Sequence, residues 1–157
     1  MEDLVLNDTD KRLLEAVQGS IALSPDPWSE LGERVGISGH EALKRVQRLQ
    51  ELGVIKKIGP IIESKSLGFN ASTLVLLKVP REKIEPVAQI VNSYVGITHN
   101  YERDCEYNLW FTLRARDDEE LKTLVEEIRA RIGLADADVA DLPTKRRFKI
   151  GVRFDIV

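Results

Sequence analysis

Two apolar tracts near the middle of the chain contain most of the residues that are able to do chemistry. Residues 95–103 read Val-Gly-Ile-Thr-His-Asn-Tyr-Glu-Arg, and residues 108–113 read Asn-Leu-Trp-Phe-Thr-Leu. Histidine, tyrosine, arginine and tryptophan together can transfer a proton, pair with a carboxylate and stack on a flat conjugated ring. The chain has only two histidines and two tryptophans. Their concentration on two strand-like segments therefore indicates a functional site.

The composition is that of an ordinary globular protein. The 157 residues are 43% hydrophobic and 31% charged, which is enough apolar material for one domain or two small ones. No apolar run approaches the roughly 20 residues of a membrane span, and the first residues lack the pattern of a signal peptide. We therefore expect a cytoplasmic chain without membrane contact. The single cysteine, Cys105, excludes an internal disulfide and any thiolate zinc site made by this chain alone.

The first 60 residues have the spacing of three short helices. Asn7 or Asp8 is suited to cap the first helix, and Pro27 fits the first turn of the second. Ser38 and Glu41 form a capping-box pattern at the start of the third. Residues 54–62 then read as a two-stranded wing. The pattern predicts a winged helix-turn-helix domain over residues 1–62.

The charge of this first domain argues against DNA binding. DNA readers gain most of their affinity from lysine and arginine placed against phosphates. Residues 1–60 contain eight basic and ten acidic residues, a net charge of −2, and the start of the third helix offers His40 and Glu41. We therefore expect that DNA binding is unlikely and that the domain serves packing or dimerisation.

The remaining residues, 63–157, alternate between strand and helix patterns. Strands are predicted at residues 73–79, around His99, around Trp110 and over residues 145–156, with amphipathic helices after the first and third strands. The order strand, helix, strand, strand, helix, strand is that of the ferredoxin-like (βαββαβ) fold. The fold class is therefore α+β, with a four-stranded antiparallel sheet and two helices on one face.

Strand alternation sorts the side chains of the predicted sheet into two faces. The apolar set, such as Phe148 in the last strand, belongs under the helices. The polar and aromatic set expected on the other face, provided that the strand registers match, comprises His99, Tyr101, Arg103, Asn108, Trp110, Arg147, Lys149 and Arg153. A flat conjugated anion matches such a face, because its rings can stack on the aromatic side chains while its carboxylates pair with the cations.

The same residues carry a resemblance to a known family. A winged helix-turn-helix followed by a ferredoxin-like ligand domain resembles the AsnC/Lrp family over nearly the whole chain. Within it, residues 96–104, residues 107–113 and Phe148-Lys-Ile are similar to the siroheme decarboxylases, and more to their alpha-subunit type. The resemblance implies that siroheme loses two acetate carboxyl groups to give 12,18-didecarboxysiroheme, in haem b or haem d1 synthesis. It also implies a homologous beta subunit, with the site between ligand domains.

This chemistry suggests roles for the predicted site residues. His99 has two open interpretations, as an axial ligand of the siroheme iron or as the proton donor, since neutral imidazole ligates iron and its unperturbed pKa suits proton transfer. Tyr101 is the second candidate catalytic group. The expected substrate-binding residues are Arg103, Asn108, Trp110, Arg147, Lys149 and Arg153. No redox cofactor is required, and any iron arrives with the tetrapyrrole.

Two alternatives remain at this point. The chain is either an enzyme or a DNA-binding regulator of the AsnC/Lrp type that senses a small molecule or haem, and only the regulator predicts salt-sensitive binding to defined DNA. As an enzyme subunit it either supplies the reactive groups or supports a beta subunit that supplies them. Self-association in place of a heterodimer also remains open.

Overall fold

The computed structural model describes residues 5–149, 151 and 153–156. The chain divides into two compact units, Met1–Pro60 with Lys149–Val157, and Ile61–Phe148. The boundary near residue 60 lies close to the predicted one, whereas residues 149–157 belong to the first unit and not to the second. In the parts of the chain that are described, no helix has the length and apolar character needed to cross a membrane.

The first unit contains the three predicted helices. Their bounds are α1 Asp8–Val17, α2 Pro27–Val35 and α3 Gly39–Glu51. Each helix turns an aliphatic stripe inward, so that Leu13, Leu31 and Leu49 are almost fully buried in one shared core. The helix-turn-helix prediction for this part of the chain is confirmed.

Side-chain caps fix where all three of these helices begin, with Asn7 on α1, Asp26 on α2 and Ser38 on α3. Asn7 and Asp10 form a complete capping box on α1, in which the Asp10 N–H donates to Asn7 Oδ1 at 2.9 Å and the Asn7 N–H to Asp10 Oδ2 at 3.4 Å. The predicted box on α3 is only half formed. Ser38 Oγ accepts from the Glu41 N–H at 3.2 Å, but Glu41 Oε1 accepts from Arg45 Nε at 2.6 Å and does not reach back to Ser38.

Asp10 is also the buried charge that joins α1 to α3. Its side chain is 1% exposed, and its two carboxylate oxygens meet Arg45 Nη1 at 2.8 Å and Arg48 Nη1 at 3.3 Å. A buried carboxylate is tolerated only when cations and hydrogen-bond donors compensate for the lost water. Two arginines of the third helix are therefore committed to an internal contact.

Asp10→Ala is expected to destabilise the first unit by about 2–3 kcal/mol, because it removes a cap and leaves two arginines without their partner. Chemical denaturation followed by circular dichroism measures the loss. Asp8→Ala is the matched control, since Asp8 lies in the same first helical turn but is exposed. Equal losses in the two variants would contradict the structural role assigned to Asp10.

The predicted two-stranded wing is not present. Residues 54–62 are all described and none of them forms a strand. Pro60 has no N–H to donate to a ladder, and Ile61 and Ile62 are exposed and not packed against the core of either unit. The alternation of apolar residues in this segment is therefore not a strand signal.

The second unit has the predicted ferredoxin-like element order. Its bounds are β1 Ala71–Leu77, α4 Ile84–Asn92, β2 Ile97–Glu102, β3 Leu109–Ala115, α5 Asp118–Ile132 and β4 Val139–Pro143. The antiparallel sheet has the order β2-β3-β1-β4. Alternate residues of β1 and β3 are buried in a core that they share with both α-helices, and Phe111 lies in this core.

The fourth strand is not the one that the sequence analysis predicted. Val139–Pro143 pairs with β1, with Val139 opposite Leu77 and Pro143 opposite Thr73, whereas residues 144–149 form no strand. The chain leaves α5 at Gly133, and the first segment that can reach β1 completes the sheet. This segment was missed because it is short and contains Asp141 and a proline. Asp141 is accommodated because its carboxylate accepts a hydrogen bond from the buried Thr73 hydroxyl.

The end of the chain packs on α1 of the first unit. Gln18 bonds to both backbone groups of Phe154, with Oε1 accepting from the N–H at 2.6 Å and Nε2 donating to the carbonyl at 3.0 Å. Arg153 Nη2 donates to Glu15 Oε1 at 2.8 Å. The sequence analysis predicted a strand here, but the backbone of Phe154 pairs with the side chain of Gln18 at the end of α1.

Glu15→Gln tests this attachment through its pH dependence. The hydrogen bond from Arg153, with a smaller one from the Ile156 N–H, lowers the pKa of Glu15 against the opposing effect of burial. A lowered folded-state pKa adds stability above the unfolded pKa, and that stability is lost as the pH falls through the folded value. The stability difference between wild type and variant is therefore expected in full at neutral pH and should be lost only at a pH below the lowered folded pKa, which itself lies below the ordinary glutamate value of about 4.3. Equal differences at both pH values would contradict the ion pair.

Candidate functional site

A β-bulge in β2 determines which side chains face away from the helices. Ile97 lies opposite Leu113, but His99, two residues later, lies opposite Thr112, so β2 contains one extra residue. The Ile97 side chain packs against the core, and the His99 side chain faces away from it. Asn100 then points to the helix side, where its Nδ2 donates to Asn92 Oδ1 at 3.0 Å. The register on which the predicted site depends is therefore the observed one.

His99 is surrounded by hydroxyl and aromatic groups. Its Nδ1 lies 3.1 Å from Thr98 Oγ1, which itself lies 2.6 Å from Thr112 Oγ1. The imidazole stacks beside Tyr101, with the ring centroids 6.1 Å apart and the planes inclined by 27°. Both rings are exposed on the face of the sheet that points away from the helices, which we call the open face.

Arg103 completes this arrangement at the end of β2. Its guanidinium carbon lies 4.8 Å from the centre of the Tyr101 ring and 5.8 Å from that of Trp110, distances at which cation–π attraction operates. Tyr101 and Trp110 are cross-strand partners. The structure thus brings together His99, Tyr101, Arg103 and Trp110, which we call the His99 cluster.

The side chain of Asn108 makes structural hydrogen bonds to the backbone of Val79. Its Oδ1 accepts from the Val79 N–H at 2.9 Å and its Nδ2 donates to the Val79 carbonyl at 2.7 Å. Its own carbonyl accepts from the Arg103 N–H at 2.8 Å. Asn108 therefore fixes the β2–β3 loop to the end of β1 and holds the backbone of Arg103 in place.

Further contacts hold the β2–β3 loop. Glu106 Oε1 accepts from Lys78 Nζ at 2.8 Å. This hydrogen bond, together with the attraction between the two opposite charges, raises the pKa of Lys78 and lowers the pKa of Glu106. The Tyr107 hydroxyl donates to the Ala137 carbonyl at 3.2 Å, and the Trp110 indole N–H donates to the Tyr107 carbonyl. The loop thereby orients the indole of the His99 cluster.

The three predicted cations from the end of the chain do not join the His99 cluster as strand residues. Arg147 lies outside any strand, with Nη1 at 3.6 Å from Glu63 Oε1, and Lys149 is exposed and also outside any strand. Arg153 is engaged by Glu15 in the first unit. Their predicted common face was wrong because it depended on a fourth strand that this segment does not form.

Two other arginines of the second unit were missed. Arg114 follows Trp110 and Thr112 on the same face of β3, and alternation extended by one step predicts it. Arg81 and Arg103 line one depression of about 500 Å³ beside the β2–β3 loop. No sequence signal indicated Arg81, because it lies in the turn before α4. Arg81 pairs with Asp104, with Nη2 3.6 Å from Oδ1, and Arg114 donates to the Ser64 hydroxyl.

Among the residues that the structure describes, no three histidine, cysteine, aspartate or glutamate side chains are grouped as a metal site. Cys105 is exposed in the β2–β3 loop. The absence of a required cofactor stays a prediction.

Comparison with known proteins matches both units to described families. Residues 66–149 match the AsnC-like ligand binding domain, and residues 10–55 match the siroheme decarboxylase NirDL-like HTH domain. The structure of AsnC from E. coli shares the fold at a TM-score of 0.79 and 16% identity, over 95% of this chain and 98% of that one. At that identity the likeness shows the fold alone.

Curated relatives are more similar. The siroheme decarboxylase alpha subunit of Desulfovibrio desulfuricans is 38% identical, with 95% of this chain and 84% of the relative covered. The siroheme decarboxylase NirD subunit of Pseudomonas aeruginosa is 34% identical over 96% of this chain and 97% of its own. The crystal structure of NirDL with an iron-uroporphyrin III analogue matches at 39% identity and a TM-score of 0.66, covering 87% of this chain and 44% of that one.

These matches show the class of protein, which is a helix-turn-helix domain joined to an AsnC-like ligand-binding domain. Within that class, the chain belongs to the siroheme decarboxylase family. It spans less than half the length of the NirDL chain, but more than four fifths of the alpha subunits that it matches.

Proposed function

We propose that this chain is an alpha-type subunit of a siroheme decarboxylase, which removes two acetate carboxyl groups from siroheme without oxidation and gives 12,18-didecarboxysiroheme. The observation that carries the proposal is the His99 cluster, where proton-donating, aromatic and cationic side chains occupy one open face of the sheet. Family membership supplies the substrate class.

The reaction needs stacking, carboxylate binding and one proton for each carboxyl group lost. The bond between the acetate methylene and the carboxyl carbon breaks, carbon dioxide leaves, and the electron pair is delocalised into the macrocycle. A proton then adds to the methylene carbon and gives a methyl group. His99 and Tyr101 are the candidate donors, and no cofactor beyond the iron carried by the substrate takes part.

The surroundings of the cluster suit a flat anionic ring. Leu74 and Leu76 of β1 lie opposite Thr112 and Trp110, so an apolar strip continues from the indole across the open face. Tetrapyrrole rings stack on such a surface. The candidates for pairing with peripheral carboxylates are Arg103 and Arg81 beside the β2–β3 loop and Arg114 at the other end of β3, since arginine matches carboxylate geometry. Arg81 and Arg114 would have to exchange their present partners, Asp104 and Ser64, for the substrate.

We expect a partner protein to cover the open face. Tyr101 is 50% exposed and Leu142 of β4 is 51% exposed. A ligand that lay on this face alone would have its other side exposed, whereas ligand sites normally bury most of the ligand surface. A homologous beta subunit is therefore the expected partner, and a second copy of this chain is the alternative. The relatives named as alpha and NirD subunits support the heteromeric arrangement.

A DNA-binding regulator is the second candidate function, favoured only by the helix-turn-helix. The commitment of Arg45 and Arg48 to Asp10, and of Arg45 also to Glu41, reduces the positive charge that α3 offers to phosphates. This observation supports the enzyme and the prediction that DNA binding is unlikely.

The first experiment is anaerobic incubation with siroheme, of this chain alone and with a candidate beta subunit, followed by mass spectrometry of the tetrapyrrole. Loss of two carbon dioxide units is the expected result. No mass change under either condition, with folded protein and intact siroheme, would contradict the proposal. A salt-dependent DNA-binding assay would then test the regulator.

A further inference from the structure

The bulge in β2 places two successive side chains beside one residue of β3. In a regular strand Thr98 and His99 would point to opposite faces, since successive side chains alternate. Here both approach Thr112, with Thr98 Oγ1 at 2.6 Å and His99 Nδ1 at 3.5 Å from Thr112 Oγ1. The bulge thus brings a pair of hydroxyl groups to one edge of the imidazole.

The hydroxyl pair contacts one ring nitrogen only. Thr98 Oγ1 lies 3.1 Å from His99 Nδ1, a hydrogen-bonding distance. A hydroxyl group can donate to a bare Nδ1 or accept from a protonated one. In either case Nδ1 is occupied, and Nε2, on the opposite side of the ring, remains available.

We propose that Thr98, supported by Thr112, is a positioning residue that holds His99 by Nδ1 and presents Nε2 to the tetrapyrrole. The inference rests on the proposed function and deepens it, because it names the reacting atom of His99. Both interpretations of His99, iron ligand and proton donor, then use the same nitrogen. A histidine that performs either role usually has its other nitrogen fixed by a hydrogen bond.

The kinetic test compares Thr98→Val with Thr98→Ser. Valine keeps the shape and the strand preference of threonine but cannot bond to Nδ1, whereas serine keeps the hydroxyl. We expect Thr98→Val to lower kcat by about 10- to 100-fold through misorientation of His99, with KM little changed. Thr98→Ser should recover most of the loss. Wild-type rates in Thr98→Val, or an equal defect in Thr98→Ser, would overturn the proposal.

A second measurement does not depend on activity. The chain has two histidines, so ¹⁵N-histidine labelling of a His40→Gln background leaves His99 as the only imidazole signal. Thr98→Val should shift the Nδ1 resonance more than the Nε2 resonance, and Thr98→Ser should restore it. Unchanged Nδ1 would overturn the contact. A wild-type protein that leaves siroheme unchanged, both alone and with the candidate beta subunit, would contradict the proposed function, while this spectrum would still decide whether Thr98 holds Nδ1.

Discussion

His99→Ala should lower the rate of siroheme decarboxylation by about 10²- to 10⁴-fold, the range that general acid catalysis typically contributes. The imidazole is the group of the His99 cluster best suited to transfer a proton near neutral pH or to ligate iron. The measurement is the rate of carbon dioxide loss from siroheme, followed by mass spectrometry under anaerobic conditions with the partner subunit present.

His40→Ala is the matched control for this variant. His40 is the other histidine of the chain and is exposed in the first turn of α3. It should leave both the rate and the stability unchanged. A His99→Ala protein that is as active as His40→Ala would show that the reactive groups come from the partner subunit, and it would contradict a catalytic role for His99.

Gly96→Ala should destabilise the second unit by about 2–3 kcal/mol, a typical cost of forcing an atom into a packed position. A Cβ at residue 96 would press against the Arg114 carbonyl oxygen and would lie 3.0 Å from Leu113 Cδ1. The backbone cannot simply yield, because the Gly96 carbonyl accepts from the Arg114 N–H at 3.0 Å at the start of β2. Chemical denaturation measures the change.

Gly59→Ala is the control for the steric argument. A Cβ there would meet only the end of the flexible Lys57 side chain, at 3.3 Å. Its effect should be within about 0.5 kcal/mol, as for most surface substitutions. If Gly96→Ala were no more destabilising than Gly59→Ala, the close approach of β2 to β3 would not be as described.

Much of the fold could be predicted from local signals. Pro27 in a first helical turn, the cap at Ser38 and the alternation around Trp110 each report local physics, and the helices and strands they predicted are present. The juxtaposition of His99 with Tyr101 and Trp110 was also predicted correctly. Their register agreed with the prediction only because the bulge shifts the alternation after Ile97.

The errors arose where strand identity depends on long-range pairing. Residues 148–154 alternate more clearly than residues 139–143, yet β4 is the latter segment, because it follows α5 directly and lies within reach of β1. Arg153 was assigned to the sheet on the strength of its own alternation, but it pairs with Glu15. The alternation of residues within a segment does not show which of two segments pairs with β1.

The bulge has a further effect that concerns the edge of the sheet. β2 is an outermost strand, and a regular outermost strand exposes a row of backbone groups to which a foreign strand can add. An extra residue interrupts that row between Ile97 and His99. The irregularity that turns His99 outward therefore also makes this edge a poor template for the addition of a foreign strand.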